Sequence, residues 1–238
     1  MKITALLTGR GNNTLMDKNV LPVLGRPLLF YPAFAAYKSK YIDSFYVSSD
    51  DDKILKAAEE IGYKRILRPV ELALPNSQHF DVIKHALNII ELDSEKPDIL
   101  IVLLANNGFV NTTWLDSCIE MILKNNSISA VVPVYNDQEH HPYRAKKLDE
   151  NGHLIPFVDL SNIPVSTNRQ DLATSYQLSH NFWVLNIPLS VEPNDGWAPW
   201  KFMGRSVMPF EISESFDVHT MEDLERTERW LKNNFEFE

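Results

Sequence analysis

The sequence is poor in three things. Cys118 is the single cysteine among 238 residues, so no internal disulfide can form. A thiol in an apolar helical pattern reads as a core residue, and a reducing compartment is expected. Cationic charge is also scarce: 23 Lys+Arg against 32 Asp+Glu leave a formal net charge of −9. Nucleic-acid binding needs a surplus of Lys and Arg against phosphate, so no nucleic-acid partner is expected. A polyanionic ligand would have to meet positive charge gathered locally. Long apolar runs are missing as well. The longest, Ile99–Ala105, falls far short of the ~20 residues a membrane helix requires. Met1–Leu7 turns polar at Thr8-Gly9-Arg10-Gly11, unlike a secretory leader. A soluble cytoplasmic protein with no membrane partner is expected.

What the chain does contain is an alternation of short apolar runs and amphipathic stretches. Ile3–Thr8, Ser44–Ser48, Arg65–Leu67, Ile99–Leu104 and Ala130–Val134 read as strands, with Asn181–Leu185 as a late return to the sheet. Ile99–Leu104 and Ala130–Val134 are apolar at successive positions, the pattern of strands covered on both faces. Between the strands, Ile54/Ala57/Ala58/Ile61, Ile83/Ala86/Leu87/Ile90 and Leu115/Cys118/Ile119/Leu123 form helical stripes. Gly62 is placed to end the first of these. Pro27 is placed as a first helical residue. Thr220-Met221-Glu222-Asp223 resembles a capping box opening a last helix. The expected fold is α/β, a mostly parallel sheet flanked by helices, with ligands beyond the carboxyl ends of the strands.

The whole chain, 1–238, reads as one domain. From about residue 136 to 180 the rhythm breaks. His140-His141-Pro142, Lys146-Lys147 and Asn151-Gly152 fall here. Asn151-Gly152 suits a hairpin turn, and the segment reads as an inserted β-rich arm. The histidine pair has no partner at metal-ligand spacing and reads as a loop pair. Trp197, Trp200 and Phe202 read as a packing cluster.

The first strand runs into Thr8-Gly9-Arg10-Gly11-Asn12-Asn13-Thr14 and then Lys18-Asn19. A glycine turn lets backbone N–H groups approach phosphate oxygens, and Arg10 and Lys18 supply local positive charge. Arg68, directly after a strand and before Pro69, falls at the ligand-binding edge of the sheet. Asp217 and His219 precede the capped helix; helix capping is the alternative reading of that pair.

Several segments, taken in order, resemble the acylneuraminate cytidylyltransferases (CMP-sialic acid synthetases). That family has a loop of the type A-R-G-G-S-K-x-x-x-x-K-N followed by P-L-x-G-K-P-L; here stand Thr8–Asn13, Lys18-Asn19 and Leu21–Leu28. Its V-S-T-D-D is matched by Val47–Asp51, its R-P-x-E-L-A by Arg68–Ala73, and its D-V-x-x-H-A-L by Asp81–Leu87. Its R-Q-D-L-P and Y-x-x-N-G are similar to Arg169–Ala173 and Tyr176–His180, and its D-I-D-T-x-E-D-L to Asp217–Leu224. The chain looks closer to the divergent branch that serves sialic-acid-like sugars of flagellin modification.

The resemblance implies a Rossmann-like nucleotidyltransferase fold with the arm serving dimerisation, and a homodimer. It implies transfer of CMP from CTP to the anomeric hydroxyl of a nonulosonic acid, with release of pyrophosphate. It places Thr8, Gly9, Arg10, Gly11, Asn12 and Asn13 along the CTP phosphates, with Lys18 neutralising charge and Asn19 beside the ribose. Arg68 would reach the nucleotide, with Ser77 and His79 flanking the cytosine. Asn106, Asn107, Arg169, Gln170 and Tyr176 would meet the sugar acid, Arg169 at its carboxylate. Asp217 would hold Mg²⁺ (Mn²⁺ being the alternative), with His219 as second ligand, and Arg10, Lys18 and Asp217 would carry catalysis. The departures are specific. Asn13 stands for the loop lysine, Ala105 for a glutamine that contacts the sugar, and His219 for a second metal aspartate. Aligned on Lys18-Asn19, the family arginine falls on Gly9. Two other readings stay open: an acceptor such as an eight-carbon keto sugar acid, or a nucleotide- or sugar-binding protein with degraded catalysis.

Overall fold

The computed structural model describes residues 1–235. In chain order the strands are β1 (Ile3–Thr8), β2 (Pro22–Val23), β3 (Arg26–Pro27), β4 (Ser44–Ser49), β5 (Lys64–Leu67), β6 (Ile99–Leu104), β7 (Ala130–Asn136), β8 (Lys146–Leu148), β9 (Leu154–Pro156), β10 (Tyr176–Leu178), β11 (Phe182–Asn186) and β12 (Val207–Glu211). The helices are α1 (Phe30–Tyr37), α2 (Asp52–Glu59), α3 (His79–Asp93), α4 (Thr112–Lys124) and α5 (Met221–Asn234).

The main sheet has the order β10-β7-β11-β6-β1-β4-β5, with β12 also paired to β7, in parallel. One half is wholly parallel: β1 pairs with β4 and β6, and β4 with β5. The other half is mixed, because β11 runs antiparallel to both β6 and β7. β6 is buried at every position, and its alternation shows where each side chain goes. Ile99, Ile101 and Leu103 join the layer formed with α1, α2 and α4. Leu100, Val102 and Leu104 join the layer with α3. A strand buried on both faces has no polar position to offer, hence the unbroken apolar run. Cys118 is fully buried in the first layer, and burial pushes its thiol pKa up. That sets it as a packing residue rather than a nucleophile.

Local signals set the helix starts. Asp51 caps α2, accepting from the Lys53 N–H at 2.8 Å. Gly62 follows that helix at φ 101°, a conformation open to glycine. Thr220 and Asp223 exchange the two bonds of a capping box at α5. Pro27 is a correction. It lies in the β2–β3 hairpin, paired with Pro22, and α1 begins only at Phe30. The next two N–H groups are spent across the hairpin, Leu28 N on Leu21 O and Leu29 N on Asn19 O, both 2.9 Å. Leu24 and Gly25 both take positive φ, 47° and 78°, a two-residue hairpin turn that returns Arg26-Pro27 as an extended strand, so the helix starts only after it.

The arm is also leaner in strand than its sequence suggests. β8 and β9 form one hairpin, and β10 belongs to the main sheet. The rest of 137–175 is turns and short 3-10 segments that include Pro142 and Pro164, which lack the donors a ladder needs. In the aromatic group, Phe202 is buried and Trp200 half-buried, whereas Trp197 is 78% exposed and outside the packing.

Candidate active site

The carboxyl ends of β1, β5 and β6 open onto a cavity of about 350 Å³, within the usual range for small-molecule sites. Thr8, Gly9, Arg10, Asn13, Lys18 and Asn19 line it from the loop after β1. Arg68, Ser77 and His79 line it from the segment between β5 and α3, and Asn106 and Asp217 from the loops after β6 and before α5. All of these are residues singled out in the sequence. The first turn of α3 faces the same space through His79, Val82 and Ile83, which brings unpaired N–H groups and a positive helix end to it.

The β1 loop is braced from within. Asn13 Nδ2 and Asn19 Nδ2 both donate to the Arg10 carbonyl, at 2.7 and 3.1 Å. Gly9 passes so close to the end of β6 that an added Cβ would lie 3.0 Å from Ala105 Cβ. A side chain there would push the loop off the strand end. Lys18 is buried and donates to the Val218 carbonyl at 3.0 Å. Burial pulls its pKa down, Asp217 pulls it back up, and Arg10 adds to the lowering.

Arg68 is 6% exposed. Its Nη2 donates to the Ser48 carbonyl at 2.6 Å and its Nε to Ser48 Oγ at 3.2 Å. Burial lowers its pKa to about 10, with Asp50 opposing and Arg10 adding to the shift. It is charged at any physiological pH, yet it is a cation short of anionic company. His79 has its pKa pushed down to about 4, first by burial, then by His180 and Arg68. Its residue surface still reaches solvent, which screens part of that shift. Neutral imidazole is the physiological form.

Asp217 is held from two sides. Asn107 Nδ2 donates to its Oδ1 at 3.0 Å. The next residue is clamped between Asn106 O, which accepts from Val218 N, and Lys18 Nζ, which donates to Val218 O.

The remaining candidates fall elsewhere. Asn107 is fully buried and does not line the cavity. Its amide donates to Asp217 and, at 3.2 Å, to Ser215 Oγ, while its Oδ1 accepts from Phe109 N. It is a positioning residue, not a sugar contact. Gly11 is buried against Asp50 and Asp51, with its N–H spent on Asp50 Oδ1 at 2.9 Å, and so has no donor left for a phosphate. Asn12 points to solvent at φ 49°. Arg169, Gln170 and Tyr176 are exposed and off the cavity, with Arg169 beside Glu139 at 3.4 Å. His219 is exposed, 4.0 Å from Asp217 Oδ2, and off the cavity lining. Among the described residues no group of three His, Cys, Asp or Glu is placed to hold a metal.

Sequence reasoning missed the apolar wall, Leu72, Leu74, Pro75, Val82, Ile83, Val102 and Leu104, and the polar His180. The wall residues carry the same signature as core residues. His180 had a signal: it stands at the glycine of the Y-x-x-N-G motif.

The family model for cytidylyltransferases matches residues 10–173. The chain belongs to the cytidylyltransferase family. An N-acylneuraminate cytidylyltransferase of Escherichia coli O18:K1:H7 is 38% identical over 89 residues, 37% of this chain and 21% of that relative. This cytidylyltransferase chain thus spans about a fifth of that relative's length. A pseudaminic acid cytidylyltransferase of Campylobacter jejuni serotype O:23/36 is 25% identical over 238 residues, 99% of both chains. The solved structure of a CMP:2-keto-3-deoxy-manno-octonic acid synthetase complexed with CTP superposes with a TM-score of 0.69 at 15% identity, covering 99% of this chain and 100% of that one. The match begins at Arg10, the first cation of this family member's cavity.

Asn107 offers a direct test of the link between the buried network and Asp217. Asn107→Ala leaves the carboxylate without its donor while touching nothing in the cavity. It is expected to lower kcat about tenfold and stability by about 1–3 kcal/mol, with CTP affinity near normal. Steady-state kinetics, calorimetric titration and a melting curve check the three parts.

Proposed function

We propose that this protein transfers CMP from CTP to the anomeric hydroxyl of a nonulosonic, sialic-acid-like sugar, releasing pyrophosphate. The observation that carries the reading is the convergence of Arg10, Lys18 and Arg68 on one cavity at the sheet's carboxyl edge, in a chain whose net charge is −9. That concentration of cations answers the need stated at the outset, a polyanion bound against an adverse overall charge. The full-length match to a pseudaminic acid cytidylyltransferase supports a nine-carbon acid as acceptor.

In this reading the acceptor oxygen attacks the α-phosphorus in line. The bond from that phosphorus to the bridging oxygen breaks, and the β,γ pair leaves as pyrophosphate. The chain's own part is positioning and charge: Arg68 and Ser77 at the nucleoside, Arg10 and Lys18 at the phosphates. The donor set fits a hard divalent cation. Mg²⁺ is commonly held by one or two carboxylates together with substrate phosphates and water, and Asp217 brings one carboxylate to the cavity. Mg²⁺, or Mn²⁺ in its place, would there offset charge on the departing pyrophosphate. His219 supplies an imidazole, which suits softer ions.

Among the described residues no helix is long and apolar enough to cross a membrane, and the reading places the protein in the cytoplasm. The arm leaves Leu148, Leu154, Phe157 and Ile163 exposed, which supports a homodimer with the arm at the contact.

The solved neighbour is a synthetase for an eight-carbon acid, which favours that acid as the second reading. The deciding experiment is pyrophosphate release from CTP and Mg²⁺ with N-acetylneuraminic acid, pseudaminic acid and 3-deoxy-manno-octulosonic acid. Turnover with a nine-carbon acid is the expected result. Turnover with the eight-carbon acid alone moves the acceptor, and CTP binding without turnover on any of the three overturns the transferase reading.

A further inference from the structure

One imidazole in the cavity wall has no part in the chemistry above. His180 precedes β11, and β11 is registered antiparallel to β6 with Phe182 opposite Leu103. That register sets His180 at the carboxyl end of β6, where it lines the cavity together with Asn106 and Asp217. In the strand order, β11 lies on one side of β6, while β1, β4 and β5 lie on the other. Arg10 and Arg68 come from the ends of β1 and β5. His180 therefore occupies the flank away from Arg10 and Arg68.

The ring is held firmly. Its centroid lies 5.8 Å from Trp183, edge-on, and 5.6 Å from Trp200. Its neighbours in sequence are tied down as well. Ser179 Oγ sits 2.8 Å from Asn181 Oδ1 and 2.7 Å from Ser215 Oγ, and Asn181 Nδ2 donates to the Phe109 carbonyl at 2.8 Å. The Trp183 indole N–H donates back to the Ser179 carbonyl at 3.1 Å. Among the described residues, however, no protein group hydrogen-bonds either ring nitrogen of His180. The surroundings spend several hydrogen bonds fixing a side chain that lines the cavity with neither ring nitrogen claimed among the described residues. A neutral imidazole accepts at one nitrogen and donates at the other, which suits a hydroxyl of a polyol, itself both donor and acceptor.

We propose that His180 is an acceptor-binding residue that hydrogen-bonds a hydroxyl of the sugar acid and sets its affinity. The inference rests on the cytidylyl-transfer reading for the identity of that ligand. Ala105, fully buried at the end of β6, cannot supply a polar contact there, and His180 does so from the adjoining β11 side.

The test uses His180→Gly and His180→Gln in the full chain, with CTP, Mg²⁺ and the three acids named above. His180→Gly should raise the acceptor KM about tenfold while CTP affinity, by calorimetry, stays within about twofold; glutamine, which can still donate and accept, should recover part of the loss. An unchanged acceptor KM, or a CTP affinity that falls as far as the acceptor KM rises, overturns the proposal. Should the unaltered protein turn over none of the acids, cytidylyl transfer fails, and a separate readout still decides on His180. In ¹⁵N-histidine-labelled protein saturated with CTP, the ring resonances missing from His180→Gly should move when an acid is added. No movement with any of the three overturns the acceptor-binding role.

Discussion

Arg68→Ala is expected to weaken CTP binding by about 1.5–3 kcal/mol, a rise in Kd of roughly ten- to 150-fold. The argument starts from cost. A guanidinium that is 6% exposed has already left most of its water behind. Its hydrogen-bond partners are the hydroxyl and carbonyl of Ser48, which carry no net charge; Asp50 attracts it and Arg10 repels it, and burial outweighs both. The folded protein has thus met the desolvation cost before any ligand arrives, so an incoming acceptor atom gains the full charge-assisted bond. Arg68→Lys should fall between the two, since a point charge cannot reproduce the planar fork. Calorimetric titration of CTP gives the number, and a melting curve separates it from misfolding. A Kd within about twofold of the unaltered protein would remove Arg68 from the nucleotide site.

Asp217→Asn is expected to lower kcat by about two to three orders of magnitude, the scale of a preorganised charge aimed at the reacting phosphates. The substitution keeps the shape, and the amide oxygen can still accept from Asn107 Nδ2. What it removes is one negative charge beside Lys18, whose pKa Asp217 now holds up. CTP binding in EDTA should therefore stay normal or tighten slightly, while the gain in affinity on adding Mg²⁺ should shrink. Retention of kcat within about threefold would mean that Asp217 serves only the architecture around α5.

How much of this was legible in the sequence depends on the kind of signal. Strands and helices whose side chains face one environment read clearly: Ile99–Leu104 has a single neighbour type on both faces, and Ile54, Leu55 and Ala58 fill one stripe of α2. Pro27 misled because a proline fits the opening of a helix and the edge of a hairpin equally well. The choice was made by the tight turn at Leu24-Gly25, where a leucine takes positive φ, 47°, and Pro27 is paired with Pro22. The cationic half of the site was legible because Arg10, Lys18 and Arg68 are costly where they stand and sit next to strand ends. Asn107 and His180 were not. Each is a lone polar residue whose role depends on partners distant in sequence, Ser215 and Asp217 more than a hundred positions away for one and the cavity wall for the other. Arg169 shows the reverse: a fitting motif in a segment that lies exposed to solvent, off the cavity.

The segment bearing Asp217 leads straight into α5, whose Leu224 and Leu231 pack with Val23, Leu28 and Tyr31 in a small cluster apart from both layers of the main sheet. That last helix can fray while the central strands stay intact, since local openings need far less free energy than global melting. Heat or mild urea would then carry the acidic group away first. Inactivation is expected to precede loss of the sheet, so that activity in a urea titration falls at lower urea than the far-ultraviolet signal.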